Sequence, residues 1–221
     1  MNFKPKYISF DCYGTLINFG MSAMTRQLYA DRVPADRMDA FVKNFASYRL
    51  DEVMGDWKPY EDVIVSAIRR TCNRWKVEYR GEEGRAFYQA VPTWGPHPDV
   101  PAGLARLAKA YPLVILSNAS NDQIPANVAK LGAPFHRVYT AQQAQAYKPR
   151  LAAFEYMLDQ LGCNPEDMLH VSSSFRYDLM SATDIGIKNK VFVARGHDLV
   201  HPGFEHTAVK DIGELASLLG L

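Results

Sequence analysis

YISFDCYGTL, residues 7–16, decides how the rest of the chain is read. YISF, residues 7–10, is a short bounded apolar run, as a buried parallel strand would be. It ends on Asp11, and Gly14 marks a turn three residues later. Four further runs have the same look: LVILS (113–117), RVYT (137–140), MLHVS (168–172) and KVFVA (190–194). Helical spacing fills the intervals at 100–110, 122–131, 151–161 and 177–185. A last helix is expected at 212–219, where Asp211 and Glu214 have capping-box spacing. Strand–helix alternation of this kind predicts an α/β fold, a doubly wound parallel sheet with helices on both faces. Ligands of such sheets sit at the carboxyl ends of the strands.

The segment after the first strand breaks the alternation. MSAMTRQLYADRV and YEDVIVSAIRRTCNRW have helical spacing, and the prolines and glycine of TWGPHPDV (93–100) mark a hinge where the chain returns to the sheet. The expected organisation is a core of residues 1–17 and 92–221 with a helical cap of residues 18–91 inserted into it. Phe41, Phe45, Tyr48, Trp57 and Tyr60 are read as cap core and hinge packing, and Arg69-Arg70 as a solvated face.

Composition narrows the chemistry. The 221 residues are 48% hydrophobic and 22% charged, with 25 Lys and Arg against 24 Asp and Glu. No strongly basic field exists to gather nucleic acid or an anionic membrane, so neither is expected as a partner. Cys12, Cys72 and Cys163 are widely spaced and form no CxxC pair, which suits a reducing compartment. No apolar run approaches the length of a membrane span and MNFKPKYISFD lacks the apolar stretch of a secretory signal, so a cytoplasmic location is expected.

The polar residues with chemical potential fall at strand ends: Asp11, then Ser117 and Asn118, then Lys148, then Ser172, Ser173, Ser174 and Asp178. Singly, each has an ordinary reading as a turn cap, a loop start or a surface charge. Their arrival at one sheet edge from four strands points to a catalytic site. His197 and His201 in GHDLVHPGFEH have the i, i+4 spacing of a metal pair, but Pro202 and Gly203 follow at once, so the segment reads as a polar surface loop.

Taken in order, DCYGT, LSN, YKP and VSSSFRYDLMSA resemble the motifs of the haloacid dehalogenase superfamily, over essentially the whole chain. The resemblance implies a Rossmann-like core, Asp11 as nucleophile and Lys148 holding it ionised. Phosphatases of the superfamily place a second aspartate two residues after the nucleophile, to protonate a leaving alcohol, and usually read Gly-Asp in the fourth motif, where the carboxylate helps hold magnesium. Here Tyr13 and Ser172-Ser173 stand in those places. A phenol with an unperturbed pKa near ~10 exchanges protons poorly at neutral pH.

DxYGT with serines in the fourth motif is similar to the L-2-haloacid dehalogenases. That implies attack of Asp11 on C2 of a short 2-haloalkanoic acid, loss of halide, and hydrolysis of the aspartyl ester to a 2-hydroxy acid without metal or other cofactor. Thr15, Ser172, Ser174 and Asp178 would complete the catalytic set. Tyr13, Ser117, Asn118 and Arg49 would receive a small carboxylate substrate, and a homodimer is allowed. The chain departs from that pattern at Ser174, where an asparagine is usual, at Phe154, where a tyrosine is usual, and in the cap, where Asp51 aligns with an arginine and Arg49 is the nearest substitute. A same-mechanism hydrolase opening another electrophilic carbon α to a carboxylate, such as a small strained ring, is the alternative. A magnesium-dependent phosphatase or a non-catalytic binding member fits the residues less well.

Overall fold

Six parallel strands form one sheet in the order β3-β2-β1-β4-β5-β6: β1 is Tyr7–Phe10, β2 Leu113–Ser117, β3 Arg137–Thr140, β4 Met168–Ser172, β5 Asn189–Val193 and β6 Thr207–Val209. The structure is a computed structural model and describes residues 3–221. β1 lies in the middle of the sheet, and Ile8, Ser9 and Phe10 are fully buried, because helices cover both faces of a parallel sheet. Phe10 lies opposite Ile115 on β2 and Val171 on β4. This register carries Asp11, Ser117 and Ser172 out along one edge. The chain passes from β1 to β2 on one side and later enters β4 on the other, so that edge is the topological switch point at which open α/β sheets bind ligands.

Helix Leu151–Leu161 shows how sequence periodicity becomes packing. Phe154, Met157 and Leu158 recur at i, i+3 and i+4 and bury against Val114, Leu116, Met168 and Ile187. Gly162 ends the helix at φ +58°, the left-handed conformation glycine adopts without strain. Close approach sets another glycine: a Cβ on Gly103 would come within 2.7 Å of the Ile212 Cγ2, so helices Val100–Leu107 and Ile212–Leu218 meet only because that position has no side chain.

The chain divides into two units. One is the sheet with its helices, running to Asn18 and resuming at Gly95; the other is Phe19–Trp94. The second unit holds helices Met21–Tyr29, Met38–Met54, Tyr60–Trp75 and Glu83–Ala90 around Tyr29, Phe41, Phe45, Phe87 and Ile68. It extends to Trp94 because Val91–Thr93 continues the last helix as a 3-10 turn, and Trp94 then stacks edge-on against Phe19 at 4.9 Å. Tyr60 is buried there as expected, and the Arg70 guanidinium covers the Tyr48 ring.

Several elements differ from their sequence reading. The helix expected at 122–131 is Ile124–Val128, since Pro125 lacks an N–H and belongs in the first turn. The helix expected at 177–185 begins earlier, with a π-helical turn at Phe175–Leu179 that runs into Met180–Asp184. Asp211 caps its helix through the Glu214 amide at 2.7 Å, but the Glu214 carboxylate accepts from Lys210 N and not from the capping residue, so the box closes one residue upstream. β6 was not expected, three residues being too short for periodicity to register. No helix among the described residues is long and apolar enough to cross a membrane.

Phe154 is fully buried and meets the His170 ring edge-on at 5.3 Å. Phe154→Ala should therefore lower unfolding stability by about 3–5 kcal/mol. A denaturant midpoint corresponding to less than about 1 kcal/mol would show that this face of the sheet repacks freely.

Candidate active site

Asp11 is fixed by its backbone before its side chain does anything. Its amide donates to Val171 O at 3.0 Å, continuing the β1–β4 ladder one residue past the strand. The chain then reverses: Leu16 N and Ile17 N both reach Cys12 O at 2.9 Å, and Gly14 takes φ +99°, which an L side chain rarely adopts. The turn brings Thr15 back over the carboxylate, where its hydroxyl donates to Asp11 Oδ2 at 2.6 Å. Arg195 holds the same turn from outside, donating to Thr15 O at 3.1 Å while its guanidinium is paired bidentately with Asp99 at 2.7 and 2.9 Å.

The centre of the site is the Lys148 ammonium, 1% exposed. Its three N–H bonds go to Asp11 Oδ1 at 2.9 Å, Asp178 Oδ1 at 2.7 Å and Leu116 O at 2.8 Å. Asn118 sets its backbone, accepting from Lys148 N at 2.7 Å and donating to Lys148 O at 2.8 Å, which leaves one amide hydrogen of Asn118 uncommitted by this pair. Lys148–Pro149 is a cis peptide.

The electrostatics follow from two buried carboxylates sharing one ammonium. Burial pushes the Asp11 carboxyl above its ordinary value; the Lys148 charge opposes this, the Asp178 charge adds to it and the Thr15 hydrogen bond opposes it. Asp178 is held below its ordinary value: burial pushes it up, but the Lys148 charge and the hydrogen bond from His170 prevail. Lys148 is raised, its two carboxylate neighbours overcoming the cost of burying the cation. Lys148 therefore acts on Asp11 in the expected direction, favouring the charged carboxylate, but it does not set the net shift. The lysine keeps ionisation attainable, and desolvation with the second carboxylate sets the net direction.

The other expected residues have definite places. Tyr13 donates its hydroxyl proton to Asn127 Oδ1 at 3.0 Å, and Asn127 is fully buried. Ser117 Oγ and Asp178 Oδ2 are buried with no hydrogen-bond partner among the described residues. Ser172 is buried and accepts from Ser174 N at 3.0 Å. The Ser174 hydroxyl accepts from Tyr177 N at 3.2 Å, capping the π-helical turn, and donates to Asp198 Oδ2 at 3.1 Å. Its one proton is thereby engaged away from Asp11. Arg49 belongs to the inserted helical unit, where its guanidinium lies over Phe45 at 5.1 Å and Phe19 at 5.5 Å, with Nε buried and without a hydrogen-bond partner among the described residues. Phe154 meets the His170 ring edge-on and offers no hydroxyl of its own.

Residues 5–186 match the family described as haloacid dehalogenase-like hydrolase. The chain belongs to the haloacid dehalogenase-like hydrolases. Its curated relatives include haloacetate dehalogenase H-2 of Moraxella sp. strain B, 28% identical over 83% of each chain, and (S)-2-haloacid dehalogenase H-109 of Pseudomonas putida, 27% identical over 96% of each. Among solved structures it resembles the L-2-haloacid dehalogenase of Xanthobacter autotrophicus with chloropropionic acid covalently bound, at TM-score 0.78 and 22% identity, covering 98% of this chain and 99% of that one. At that identity the likeness concerns the fold.

A divalent cation does not fit the donor set of this hydrolase. Asp11 and Asp178 both turn Oδ1 to the Lys148 ammonium, and the next side chains at the edge are serine hydroxyls. Among the described residues no group of three or more His, Cys, Asp and Glu is arranged to hold a metal ion. His197 and His201 have different partners, Ser173 Oγ and the Phe175 ring.

One residue at the centre, His170, had not been singled out from sequence, and Ser173 and His197, which had been, meet there in a way their spacing did not show. His170 donates Nε2–H to Asp178 Oδ1 at 3.1 Å and faces Ser9 Oγ at 2.8 Å through Nδ1. A fully buried histidine inside the otherwise apolar run MLHVS was the available signal for it. Ser173 and His197, from separate strands, meet near Thr15.

Removing the second negative charge should ease ionisation of the first. In Asp178→Asn the Asp11 titration, followed by its carboxyl carbon resonance, should move to lower pH than in the parent, since a like charge has gone while Lys148 remains. A titration unmoved or shifted upward would show that Asp178 does not act on Asp11 through charge.

Proposed function

We propose that this protein hydrolyses the carbon–halogen bond of a short 2-haloalkanoic acid and releases a 2-hydroxy acid and halide. The observation that carries this reading is Tyr13. Two residues after the nucleophile, where transfer to an oxygen leaving group calls for an exchangeable acid, stands a phenol whose proton is engaged by buried Asn127. A halide leaves carbon as a stable anion and needs no such proton. The dehalogenase relatives, matched over most of their length, support the same substrate class.

In the proposed reaction an Asp11 carboxylate oxygen attacks C2 from the face opposite the halogen. The C–O bond forms as the C–halogen bond breaks, and the electron pair leaves with halide. Lys148 neutralises part of the charge around the carboxylate before attack. Water then adds to the Asp11 carboxyl carbon, the ester C–O bond at that carbon breaks, and the 2-hydroxy acid departs with one oxygen taken from Asp11; one proton is released overall. Ser117 Oγ, buried and without a hydrogen-bond partner among the described residues, is proposed to receive the substrate carboxylate, and Asp178 Oδ2, in the same condition, to orient the water. The remaining Asn118 amide hydrogen is proposed to receive the departing halide. Ser172 and Ser174 are assigned to holding the turn that bears Asp178. The same proposal includes a cytoplasmic setting, in keeping with three free cysteines, and allows a homodimer.

Halide release from a panel of short (S)-2-haloacids should persist in excess chelator, and Asp11→Asn should abolish it, by a factor of about 10³ or more. Turnover of a phosphate ester with a strict magnesium requirement, and no halide released, would replace this reading with a phosphatase.

Isotope position separates covalent from direct water attack. In a single turnover in heavy-oxygen water with enzyme in excess, the product hydroxyl should carry ordinary oxygen, the peptide containing Asp11 should gain the heavy atom, and C2 should be inverted. Heavy oxygen chiefly in the first product, with Asp11 unlabelled, would make Asp11 a general base.

A further inference from the structure

Asp11 Oδ2 ends a chain of hydrogen bonds whose direction is set by counting protons. The Thr15 hydroxyl has one hydrogen, and that hydrogen goes to Asp11 Oδ2 at 2.6 Å. Thr15 Oγ1 is therefore an acceptor toward Ser173, taking the Ser173 amide at 2.9 Å and the Ser173 hydroxyl at 3.0 Å. The Ser173 proton being so placed, Ser173 Oγ accepts from His197 Nε2 at 3.0 Å, and that nitrogen carries the hydrogen. The order is thus His197 Nε2–H to Ser173 O–H to Thr15 O–H to Asp11 Oδ2. Each hydroxyl that accepts a hydrogen bond becomes a better donor, so the bond at Oδ2 is strengthened by those behind it.

The loop is built to present His197. Its neighbour Asp198 accepts from Ser174 Oγ at 3.1 Å and from Phe175 N at 3.0 Å, tying the segment after β5 to the turn after β4. Gly14 leaves room for the imidazole: a Cβ there would lie 3.4 Å from His197 Nε2 and 3.7 Å from Ser173 Oγ. His197 itself is exposed, whereas Ser173, Thr15 and Asp11 are buried, so the chain leads from the surface of this unit to its nucleophile.

We propose that His197 is a positioning residue for Asp11, acting through Ser173 and Thr15 to hold Oδ2 and to strengthen the hydrogen bond on it. The chemical consequence rests on Asp11 being the nucleophile. When water adds to the aspartyl ester, charge develops on the carboxyl oxygen that is not esterified, and a polarised donor already aimed at Oδ2 stabilises that charge without reorganisation. An imidazole whose only task was to fasten the loop would duplicate Asp198.

The test has an arm that needs no turnover. Nitrogen-15 spectra of the imidazoles, with His197 assigned by comparison with His197→Gln, should show Nε2 protonated, and the Asp11 carboxyl carbon resonance should shift alike in His197→Ala and Ser173→Ala. A bare Nε2 would reverse the Ser173 bond and overturn the proposal, as would an Asp11 resonance indifferent to both changes. In the kinetic arm His197→Ala should lower kcat about threefold to tenfold with KM changed less than about twofold, the size of one net hydrogen bond. His197→Gln, which retains an N–H near the Nε2 position, should recover most of that loss. The double variant with Ser173→Ala should be no slower than the worse single one, since both interrupt one chain. A lowered melting temperature with kcat intact, or losses that simply multiply, would reduce His197 to a loop tie. Absence of halide release from the unaltered protein would count against the dehalogenase reading alone, and the resonance arm would still decide the role of His197.

Discussion

One ammonium between two buried carboxylates holds this site together. Lys148 lies 2.9 Å from Asp11 and 2.7 Å from Asp178, and its third hydrogen reaches Leu116 O on β2. Two carboxylates at that depth without a cation would not both ionise, and taking one partner from a buried ion pair costs several kcal/mol because the other is left uncompensated. Much of the surrounding detail serves that arrangement. Asn118 clamps the Lys148 backbone, His170 shares the Asp178 oxygen, and the Gly14 turn brings Thr15 onto the oxygen of Asp11 that the lysine does not hold.

The same arrangement accounts for the chemistry the site favours. The charge fixed on Lys148 holds the first oxygen of Asp11 in place, whereas the second oxygen is governed by the Thr15 hydroxyl. Tyr13 has its proton engaged by Asn127. A carboxylate nucleophile so held suits a leaving group that departs as an anion from carbon. The π-helical turn at Phe175–Leu179 belongs to the same logic: its wider winding follows the Ser174 cap and delivers Asp178 to the lysine, and such turns are frequently found at functional sites.

The sheet and the polar residues at its edge were legible in the sequence for a physical reason. Buried parallel strands must be short and apolar throughout, so YISF, LVILS, RVYT and MLHVS stand out and match their observed bounds. The polar residues just beyond them emerge at one edge because parallel register leaves no other place, which is why Asp11, Ser117, Lys148 and Asp178 could be grouped before any coordinate was known. The inserted unit betrayed itself by a change of period.

What the sequence alone could not contain was direction and division of labour. Hydrogen bonds are one-to-one, and which partner a hydroxyl takes depends on atoms brought together across more than a hundred residues, as Thr15 with Ser173 and Tyr13 with Asn127 illustrate. Ser174, read as part of the reacting set, turns its proton to Asp198, and His197, read as surface, reaches toward Asp11 through two hydroxyls. The sign of the Asp11 shift was likewise decided in three dimensions, since the attraction of Lys148 was evident from sequence but the depth of burial and the nearness of Asp178 were not. Periodicity and motif order therefore determined the sheet and the grouping of polar residues at its edge, Asp11 first among them. The tertiary structure decided how each proton is shared, because burial and distance exist only once the strands are side by side.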